Sequence, residues 1–280
     1  MKFENGQVMN FEGALRGMRA PMASWAKSDS IFDIYCEHED YGSECIDVVA
    51  DKWAEYLLKD QVYEEEKDYD NEFAKIAEEK REWLWQQGAS FIGIDHHYKL
   101  DLIGPADMNL CRRLINGGPE HRKFLRQIMV SVDITAPLYW WKEFDTYKVG
   151  TTANSTSTMH KLASTPITLE CFETDDYDDS IPFRKIIDSS EDMCIGTFVD
   201  DLITDLEHLR QKYFETKDKR YWKELVRCLP NGWLQTRTVT MNYENLRSIV
   251  HQRVGHKLSE WRAFCEWCEQ LPYAKELIID

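Results

Sequence analysis

The chain has no surplus of positive charge, and this absence excludes the simplest mode of nucleic-acid binding. Its 34 Lys and Arg residues are outnumbered by 50 Asp and Glu residues, which gives a formal net charge of −16. A protein that binds nucleic acid through broad electrostatics neutralises many phosphates with basic side chains. We therefore expect no nucleic-acid partner, and any anionic ligand has to be held by a local cluster of Arg and Lys.

Segments that would insert into a membrane are also missing. No apolar run approaches the roughly 20 residues that cross a bilayer, and the start, Met1 to Asn5, does not have the pattern of a signal peptide. The eight cysteines are scattered through the chain, as is usual for reduced thiols. These features predict a cytoplasmic protein without a membrane partner.

Little in the sequence indicates a metal centre. The one CxxC, Cys265 to Cys268, lies in a helical pattern and has no second CxxC, so we interpret it as core packing. His96 and His97 stand beside Asp95, but adjacent side chains point apart in a strand and no third ligand has suitable spacing. The acidic segment 172–182 lacks the glycine and the final Glu of a calcium loop. We predict no metal.

Apolar periodicity predicts a mixed α/β (α+β) domain with more helix than strand. Alternation over 128–134 and again over 236–241 indicates two half-buried strands. Residues 28–101 combine helical spacing with acidic blocks, so we expect a charged helical insertion there, within one domain spanning 1–280. Helical spacing of apolar residues also occurs in segments 9–25, 107–116, 198–214, 217–228, 243–253 and 256–271. Asn242 is a candidate cap of the helix that ends at Arg253, and Gly255 separates it from the last one.

The most informative segment is the polar run Thr146 to Thr158, which follows an aromatic stretch at 138–141. It is rich in hydroxyl side chains and also contains Lys148 and Asn154. Hydroxyl groups and unpaired backbone N–H groups are common donors to phosphate and sugar oxygens, although a solvated surface loop has the same composition. The run is therefore a candidate loop for binding a phosphate or a sugar.

A second group of polar residues surrounds the break between the last two predicted helices. Arg253 ends one helix, His256 and Glu260 stand four residues apart on the next, and Arg237 and Asn242 bracket the end of the preceding strand. A guanidinium, an imidazole and an amide suit a nucleotide phosphate or a heteroaromatic ring with carbonyl groups. The alternative is an ion-paired helix surface in which Glu260 neutralises His256 or Arg253.

Three segments of the chain resemble the flavin-dependent thymidylate synthases, the ThyX family. The first is Glu12 to Arg19 followed by Ser24 and Trp25, the second runs from His121 to Leu162, and the third runs from Leu229 to Glu260. They occur in the same order as in the family. The resemblance implies a ThyX-like fold, in which helices flank a central antiparallel sheet.

The resemblance also implies an activity. The family carries out the reductive methylation of dUMP with FAD, NADPH and methylenetetrahydrofolate, and its members are homotetramers. A related one-carbon transfer to a deoxypyrimidine monophosphate, such as hydroxymethylation, is a variant of this expectation. The alternative is a catalytically inactive ThyX-fold protein that binds nucleotide, flavin or a protein partner. The divergence of the sequence is consistent with a viral, phage-like origin.

Residue roles follow from position within the similar segments. Arg253 is similar to the arginine that activates the pyrimidine. The substrate-binding residues that the resemblance implies are Arg237, Lys142, Glu143, Asn154, Thr156, Ser157 and Thr158. The cofactor-binding residues that it implies are Ser24, His121, Lys123, Thr146, Tyr147, Lys148, Asn242, Ser248 and His256.

The chain departs from the family in the signature loop. The family has Arg-His-Arg where this chain has Thr146, Tyr147 and Lys148, and it has a closing Arg where this chain has Thr158. One cation therefore stands where three arginines are expected. Each charge-assisted hydrogen bond that is lost costs about 1.5–3 kcal/mol, so we expect weaker binding of a phosphate dianion than in the family.

Overall fold

The computed structural model describes residues 1–36, 43–59, 61–63, 65–86, 98–157, 162–186 and 191–280. His96 and His97, which were weighed as metal ligands, and Thr158, a predicted substrate contact, lie outside the described residues. The chain divides into two compact units. Unit 1 comprises residues 1–7, 130–241 and 248–268, and unit 2 comprises residues 8–129, 242–247 and 269–280.

The mixed α/β class that the sequence predicts is confirmed. The strands are β1 Lys2–Met9, β2 Ile31–Cys36, β3 Tyr98–Leu102, β4 Met129–Pro137, β5 Thr152–Ser155, β6 Pro182–Lys185, β7 Asp192–Cys194 and β8 Leu234–Asn242. The helices are α1 Phe11–Arg19, α2 Ser43–Leu58, α3 Glu66–Gln86, α4 Pro105–Asn116, α5 Leu138–Phe144, α6 Ile195–Thr216, α7 Lys219–Cys228, α8 Tyr243–Arg253 and α9 Ser259–Glu269. Within the described ranges, no helix is both long and apolar enough to cross a membrane.

The largest sheet has four strands in the order β1-β4-β8-β5. In β4, the side chains of Val130, Val132 and Ile134 are buried and the residues between them are partly exposed. This alternation arises because successive side chains of a strand point to opposite faces of the sheet. Both strands that the sequence predicts from alternation, β4 and β8, are therefore confirmed, and they are neighbours in this sheet.

The polar run from Thr146 is not one continuous loop, as the sequence predicted, because residues 152–155 form the edge strand β5. Thr152 pairs with Thr240 and Ser155 pairs with Arg237 in an antiparallel ladder. Of its four residues only Thr152 has a high preference for strands, so pairing with β8 rather than propensity defines β5, and its four side chains are all exposed. The segment is thus polar because it is an exposed edge strand. Its pairing with β8 places Ser155 opposite Arg237.

Unit 1 contains a cluster of buried aromatic residues that joins α5 to α9. The Trp140 ring centroid lies 4.8 Å from those of Trp141 and Trp261, and Phe264 packs 5.7 Å from Trp140. Burying side chains of this size stabilises a fold by about 1.5–3 kcal/mol each. The cluster therefore fixes α5, and with it Glu143, relative to α9.

The interpretation of Cys265 and Cys268 as core residues is confirmed, since both are buried on α9. In the part of the chain that the structure describes, no group of three or more His, Cys, Asp or Glu side chains is placed to hold a metal ion.

A second apolar cluster in unit 1 lies between α6, α7 and the segment before β6. Its buried members are Leu162, Ile167, Phe172, Leu206 and Leu225. On α6, the Glu207 carboxylate accepts hydrogen bonds from the Arg210 guanidinium at 2.6 and 2.7 Å and from the Ile167 backbone N–H at 2.8 Å. Glu207 therefore ties the segment at 167 to α6.

Replacing Glu207 by Gln is expected to lower the free energy of unfolding of unit 1 by on the order of 1 kcal/mol at neutral pH. The difference between the two proteins is expected to be smaller in acid. Hydrogen bonding to Arg210, ahead of all other causes, lowers the pKa of Glu207 from 4.5 to about 2. A lowered folded-state pKa contributes stability that is present above the unfolded pKa and is lost as the pH falls towards the folded one. Urea unfolding of wild type and Glu207→Gln at about pH 7 and about pH 3 measures this change. An equal difference at both pH values would contradict it.

Unit 2 contains a buried ion pair between α1 and α4. Arg19 Nε lies 2.5 Å from Asp107 Oδ1, and the two side chains are 6% and 0% exposed. The hydroxyls of Ser28 and Ser30 donate to Asp107 Oδ2 at 2.6 and 2.5 Å. Buried charges have to be paired and hydrogen-bonded. Arg19 therefore has a structural role in unit 2, as the partner of Asp107.

The predicted charged helices of the segment 28–101 are confirmed as α2 and α3. In α2, Val49, Ala50 and Trp53 are buried, and Trp53 Nε1 donates to the Asp29 carbonyl at 2.8 Å. The outer residues of α3 are acidic and exposed. The inner face of α2 therefore belongs to the core of unit 2.

Candidate functional site

Two carboxylates at the C-terminal end of α5 are each paired with an arginine of unit 1. Glu143 Oε2 accepts a hydrogen bond from Arg253 Nη1 at 2.8 Å, and Asp145 Oδ1 accepts one from Arg237 Nη1 at 2.7 Å. The arginine side chains are only 19% and 15% exposed. The two arginines for which the resemblance implies substrate contacts are thus both bound to the end of the same short helix.

Backbone hydrogen bonds explain why α5 is held in this place. The first N–H groups of a helix have no partner within the helix. Here the Leu138 N–H donates to the Trp233 carbonyl and the Tyr139 N–H donates to the Asn231 carbonyl, both at 3.0 Å. These bonds tie the start of α5 to the segment that enters β8, and β8 carries Arg237.

Arg253 is enclosed on several sides by groups of unit 1. Its Nε donates to the Tyr147 hydroxyl at 2.8 Å, and its guanidinium carbon lies 4.5 Å from the centroid of the Trp261 ring. Such stacking stabilises a cation by about 0.5–2 kcal/mol. A guanidinium has five N–H donors, and in the described chain two of those of Arg253 are used. Three donors remain for a ligand.

His256 lies beside the same carboxylate. Its Nδ1 accepts a hydrogen bond from the Leu258 backbone N–H at 3.2 Å, so in the neutral ring the proton is on Nε2. His256 Nε2 lies 3.7 Å from Glu143 Oε2. Trp261 Nε1 donates to that same oxygen at 3.0 Å. Glu143 Oε2 is therefore the common neighbour of an arginine, a tryptophan and a histidine.

Glu260 is not the partner of Arg253 or His256, which was the alternative that its spacing suggested. It is buried, and its Oε1 accepts a hydrogen bond from the Tyr139 hydroxyl. The spacing is misleading because α9 begins at Ser259, so His256 precedes the helix and the i,i+4 relation does not apply. The carboxylate that neutralises Arg253 comes from Glu143 instead.

Tyr139 is shared by two acidic side chains. Besides Glu260, its hydroxyl lies 3.4 Å from Glu173 Oε2. Burial, and then the hydrogen bond to Glu260, raise the pKa of Tyr139 well above its ordinary value. Burial likewise raises the pKa of Glu173. The tyrosine therefore stays protonated and donates to Glu260, while the half-buried Glu173 lies beside the same hydroxyl.

Arg237 is positioned by Gln235, a residue that the sequence analysis did not select. Arg237 Nε donates to Gln235 Oε1 at 3.0 Å, and Gln235 Nε2 donates to the Thr156 carbonyl at 3.0 Å. The guanidinium of Arg237 also stacks on Trp141, 4.2 Å from its ring centroid. The sequence does contain a signal for this contact, because residues i and i+2 of a strand, here Gln235 and Arg237, lie on the same face.

The structure brings most of the predicted substrate-binding residues into one region of unit 1. Asn154 is opposite Thr238 on the β5–β8 ladder, next to the pair that contains Arg237. The Thr156 hydroxyl donates to the Thr236 carbonyl at 3.2 Å, and Ser157 follows it. Lys142 is exposed, with its Nζ 2.6 Å from Asn231 Oδ1.

The predicted cofactor residues of unit 1 have different environments. Tyr147 contacts Arg253, as described above, and the Thr146 hydroxyl donates to the Glu143 carbonyl at 2.7 Å. Ser248 accepts a hydrogen bond from Gln252 Nε2 at 2.9 Å. Lys148 is exposed. The nearby Thr151 hydroxyl is buried and has no hydrogen-bond partner among the described residues.

Four predicted cofactor residues belong to unit 2. The Asn242 side chain accepts a hydrogen bond from the Asn245 N–H at 3.0 Å, so Asn242 caps α8, a position at which asparagine is preferred. Lys123 is exposed, with its Nζ 3.7 Å from Glu120. Ser24 lies at a turn and His121 is exposed. Unlike Arg253 and Arg237, these residues are not part of unit 1.

No protein-family model matches this chain, and neither does any curated protein sequence. Among solved structures, the chain is similar to flavin-dependent thymidylate synthase ThyX from Helicobacter pylori complexed with FAD and dUMP, at 14% identity and a TM-score of 0.44, over 89% of this chain and 97% of that chain. It is also similar to the UMP/dUMP methylase PolB from Streptomyces cacaoi bound with 5-Br dUMP, at 15% identity and a TM-score of 0.46, over 62% of this chain and 80% of that chain.

Proposed function

We propose that this protein binds a deoxypyrimidine monophosphate at the end of α5 and catalyses a flavin-dependent one-carbon transfer to its ring, with reductive methylation of dUMP as the reaction. The observation that carries this proposal is the arrangement of Arg253 and Arg237. Both are largely covered, both stack on tryptophan, and both are held by a carboxylate of the same helix end. Each therefore presents its remaining N–H donors in a fixed direction.

Arg253 acts on the pyrimidine ring in this proposal. Attack at a ring carbon places negative charge on the ring carbonyls, and donors fixed before the reaction stabilise that charge. Tyr147 and Trp261 hold the guanidinium plane, and Glu143 holds Nη1. The N–H groups that these contacts do not use are the ones that bind a carbonyl oxygen.

Arg237 and the polar edge of β5 bind the sugar and phosphate. Arg237 and Arg253 keep unused N–H donors although each is paired with a carboxylate, and Lys142 and Lys148 are exposed. Positively charged groups are therefore available to an anion although the chain carries −16. A local positive field is what an anionic ligand requires on an acidic protein. The side chains of Asn154, Thr156 and Ser157 supply neutral hydrogen-bonding groups nearby, and Thr158 is assigned by the resemblance alone.

FAD is the cofactor that the resemblance implies, and the donor chemistry fits it. The implied residues carry hydroxyl, amide, imidazole, phenol and ammonium groups, which suit the oxygens of a pyrophosphate and the carbonyls of a flavin ring. In unit 1 these are Thr146, Tyr147, Lys148, Ser248 and His256. Ser24, His121, Lys123 and Asn242 are assigned to FAD by the resemblance alone. When bound, FAD supplies the electrons that reduce the transferred carbon. NADPH, methylenetetrahydrofolate and a homotetramer complete the proposal.

Purification of the full chain tests the proposal. We expect a yellow protein, or one that becomes yellow with added FAD, with absorbance at about 450 nm from the flavin. We also expect saturable binding of dUMP by calorimetry and formation of dTMP when NADPH and methylenetetrahydrofolate are added. Formation of 5-hydroxymethyl-dUMP would support the hydroxymethylation variant. A colourless protein that binds neither FAD nor dUMP would refute the proposed enzymatic activity.

The second candidate is an inactive ThyX-fold binding protein. It is favoured by the replacement of two signature arginines by Thr146 and Thr158 and by the exposed acidic residues of α3. Deleting α2 would expose the core of unit 2, because Trp53 is buried. The appropriate test therefore changes the exposed Asp68, Asp70 and Glu79 to Lys. Lost partner binding with intact folding would support this candidate, whereas turnover of dUMP would eliminate it.

A further inference from the structure

We propose that Glu143 determines substrate specificity by accepting a hydrogen bond from a ring N–H of the substrate, next to the ring carbonyl that Arg253 binds. The ligand class is a six-membered heterocycle with an imide edge, in which an N–H stands beside a C=O, as in uracil. This inference rests on the proposed function, since it concerns how the same site reads the base of its nucleotide.

The first observation is the unequal use of the two Glu143 oxygens. Oε2 accepts hydrogen bonds from Arg253 Nη1 at 2.8 Å and Trp261 Nε1 at 3.0 Å, and His256 Nε2 lies 3.7 Å from it. Oε1 has no hydrogen-bond partner among the described residues, and the side chain is 36% exposed. A carboxylate oxygen has lone pairs for about two hydrogen bonds. Oε1 is therefore an acceptor available to a ligand.

The second observation is that Arg253 and Glu143 do not form the bidentate pair that a purely structural ion pair favours. In a bidentate pair, two parallel N–H groups of the guanidinium bind both carboxylate oxygens. Here Arg253 uses only Nη1 towards Glu143 and turns Nε to the Tyr147 hydroxyl. Both hydrogens of Nη2 are left without a partner within the described ranges. The pair thus leaves one acceptor and several donors unused on two residues that are hydrogen-bonded to each other.

These unused groups are complementary to an imide, which carries a carbonyl acceptor next to an N–H donor. A carbonyl oxygen accepts from the Arg253 guanidinium, and the neighbouring ring N–H donates to Glu143 Oε1. Hydrogen bonds to a charged group are the stronger kind, and losing one lowers affinity about tenfold to a hundredfold. A site built to hydrogen-bond a ligand N–H also rejects an analogue that lacks it, because the protein group is left unpaired.

The test compares dUMP with its N3-methyl derivative, which has the same carbonyls but no ring N–H. Dissociation constants are measured by calorimetry on the full chain with FAD present. Wild type is expected to bind dUMP about tenfold to a hundredfold more tightly than N3-methyl-dUMP. Glu143→Ala is expected to bind the two within about threefold, because the acceptor is gone. Glu143→Gln retains a neutral acceptor and is expected to show a reduced but detectable preference.

Asp145→Ala is the matched control, since it removes the carboxylate that pairs with Arg237 at the same helix end. It is expected to change the affinity for both ligands by the same factor and to keep the wild-type preference. Equal binding of the two ligands by wild type would overturn the proposal. It would also be overturned if Glu143→Ala lowered the affinity for both ligands by the same factor and kept the wild-type preference. Glu143 would then act only by holding Arg253. If wild type prefers dUMP in this way but forms no product, the role of Glu143 in base recognition is supported and the proposed reaction is refuted. If wild type binds no dUMP at all, both proposals are refuted.

Discussion

Replacing Arg253 by alanine is expected to lower kcat/KM for dUMP about 100- to 1000-fold, the effect of removing a donor that stabilises developing negative charge. The binding of FAD is expected to change by less than about threefold, because other side chains supply the donors proposed for the flavin. The measurement is steady-state formation of dTMP together with flavin titration of the same preparation. Equal loss of activity and of flavin binding would show that Arg253 has been assigned to the wrong ligand.

Arg253→Lys separates charge from geometry. Lysine keeps the positive charge but cannot donate to Tyr147 and Glu143 while also presenting donors to a ring carbonyl in a fixed plane. We expect most of the loss seen with alanine, while circular dichroism and thermal unfolding stay close to wild type. A lysine variant with near wild-type kcat/KM would show that Arg253 contributes only long-range charge.

Local features of this fold could be predicted from the sequence because their causes are local. The alternation in β4 reports which residues face the core, and Asn242 has the side chain that caps a helix start. Pro137 stands directly before α5, where its fixed φ is compatible with the start of a helix. Each of these signals lies within a few residues of the element that it determines.

The pairing within the candidate site could not be predicted, because it joins residues that are distant in the chain. Glu143 and Arg253 are 110 positions apart, and no periodicity connects them. The spacing of His256 and Glu260 indicated a helical pair, but the helix begins after His256. In β5, a polar segment that fits a loop by composition instead forms an edge strand by pairing with β8, and only one of its four residues, Thr152, has a high strand preference.

Replacing Asp107 by alanine is expected to have the largest effect on stability, about 3–5 kcal/mol, the cost of leaving a buried charge without its partner. Arg19 is 6% exposed and would lose its carboxylate, while the hydroxyls of Ser28 and Ser30 would lose their acceptor. The free energy of unfolding is measured in urea. Hydrogen exchange of peptides from α1 and α4 then localises the change, because a chain of two units does not have to unfold in one step.

Three further variants test whether the unpaired charge of Arg19 or the lost serine hydrogen bonds cause this loss of stability. Lys212→Ala breaks an exposed pair with Glu215 on α6 and is expected to cost no more than about 0.5 kcal/mol. The double variant Arg19→Met with Asp107→Leu removes both charges and is expected to be more stable than Asp107→Ala alone, since no unpaired charge stays buried. A double variant as unstable as the single one would mean that the hydrogen bonds of Ser28 and Ser30, rather than the charge of Arg19, make Asp107 necessary. In that case Asp107→Asn, which can still accept from the serines, would be nearly as stable as wild type.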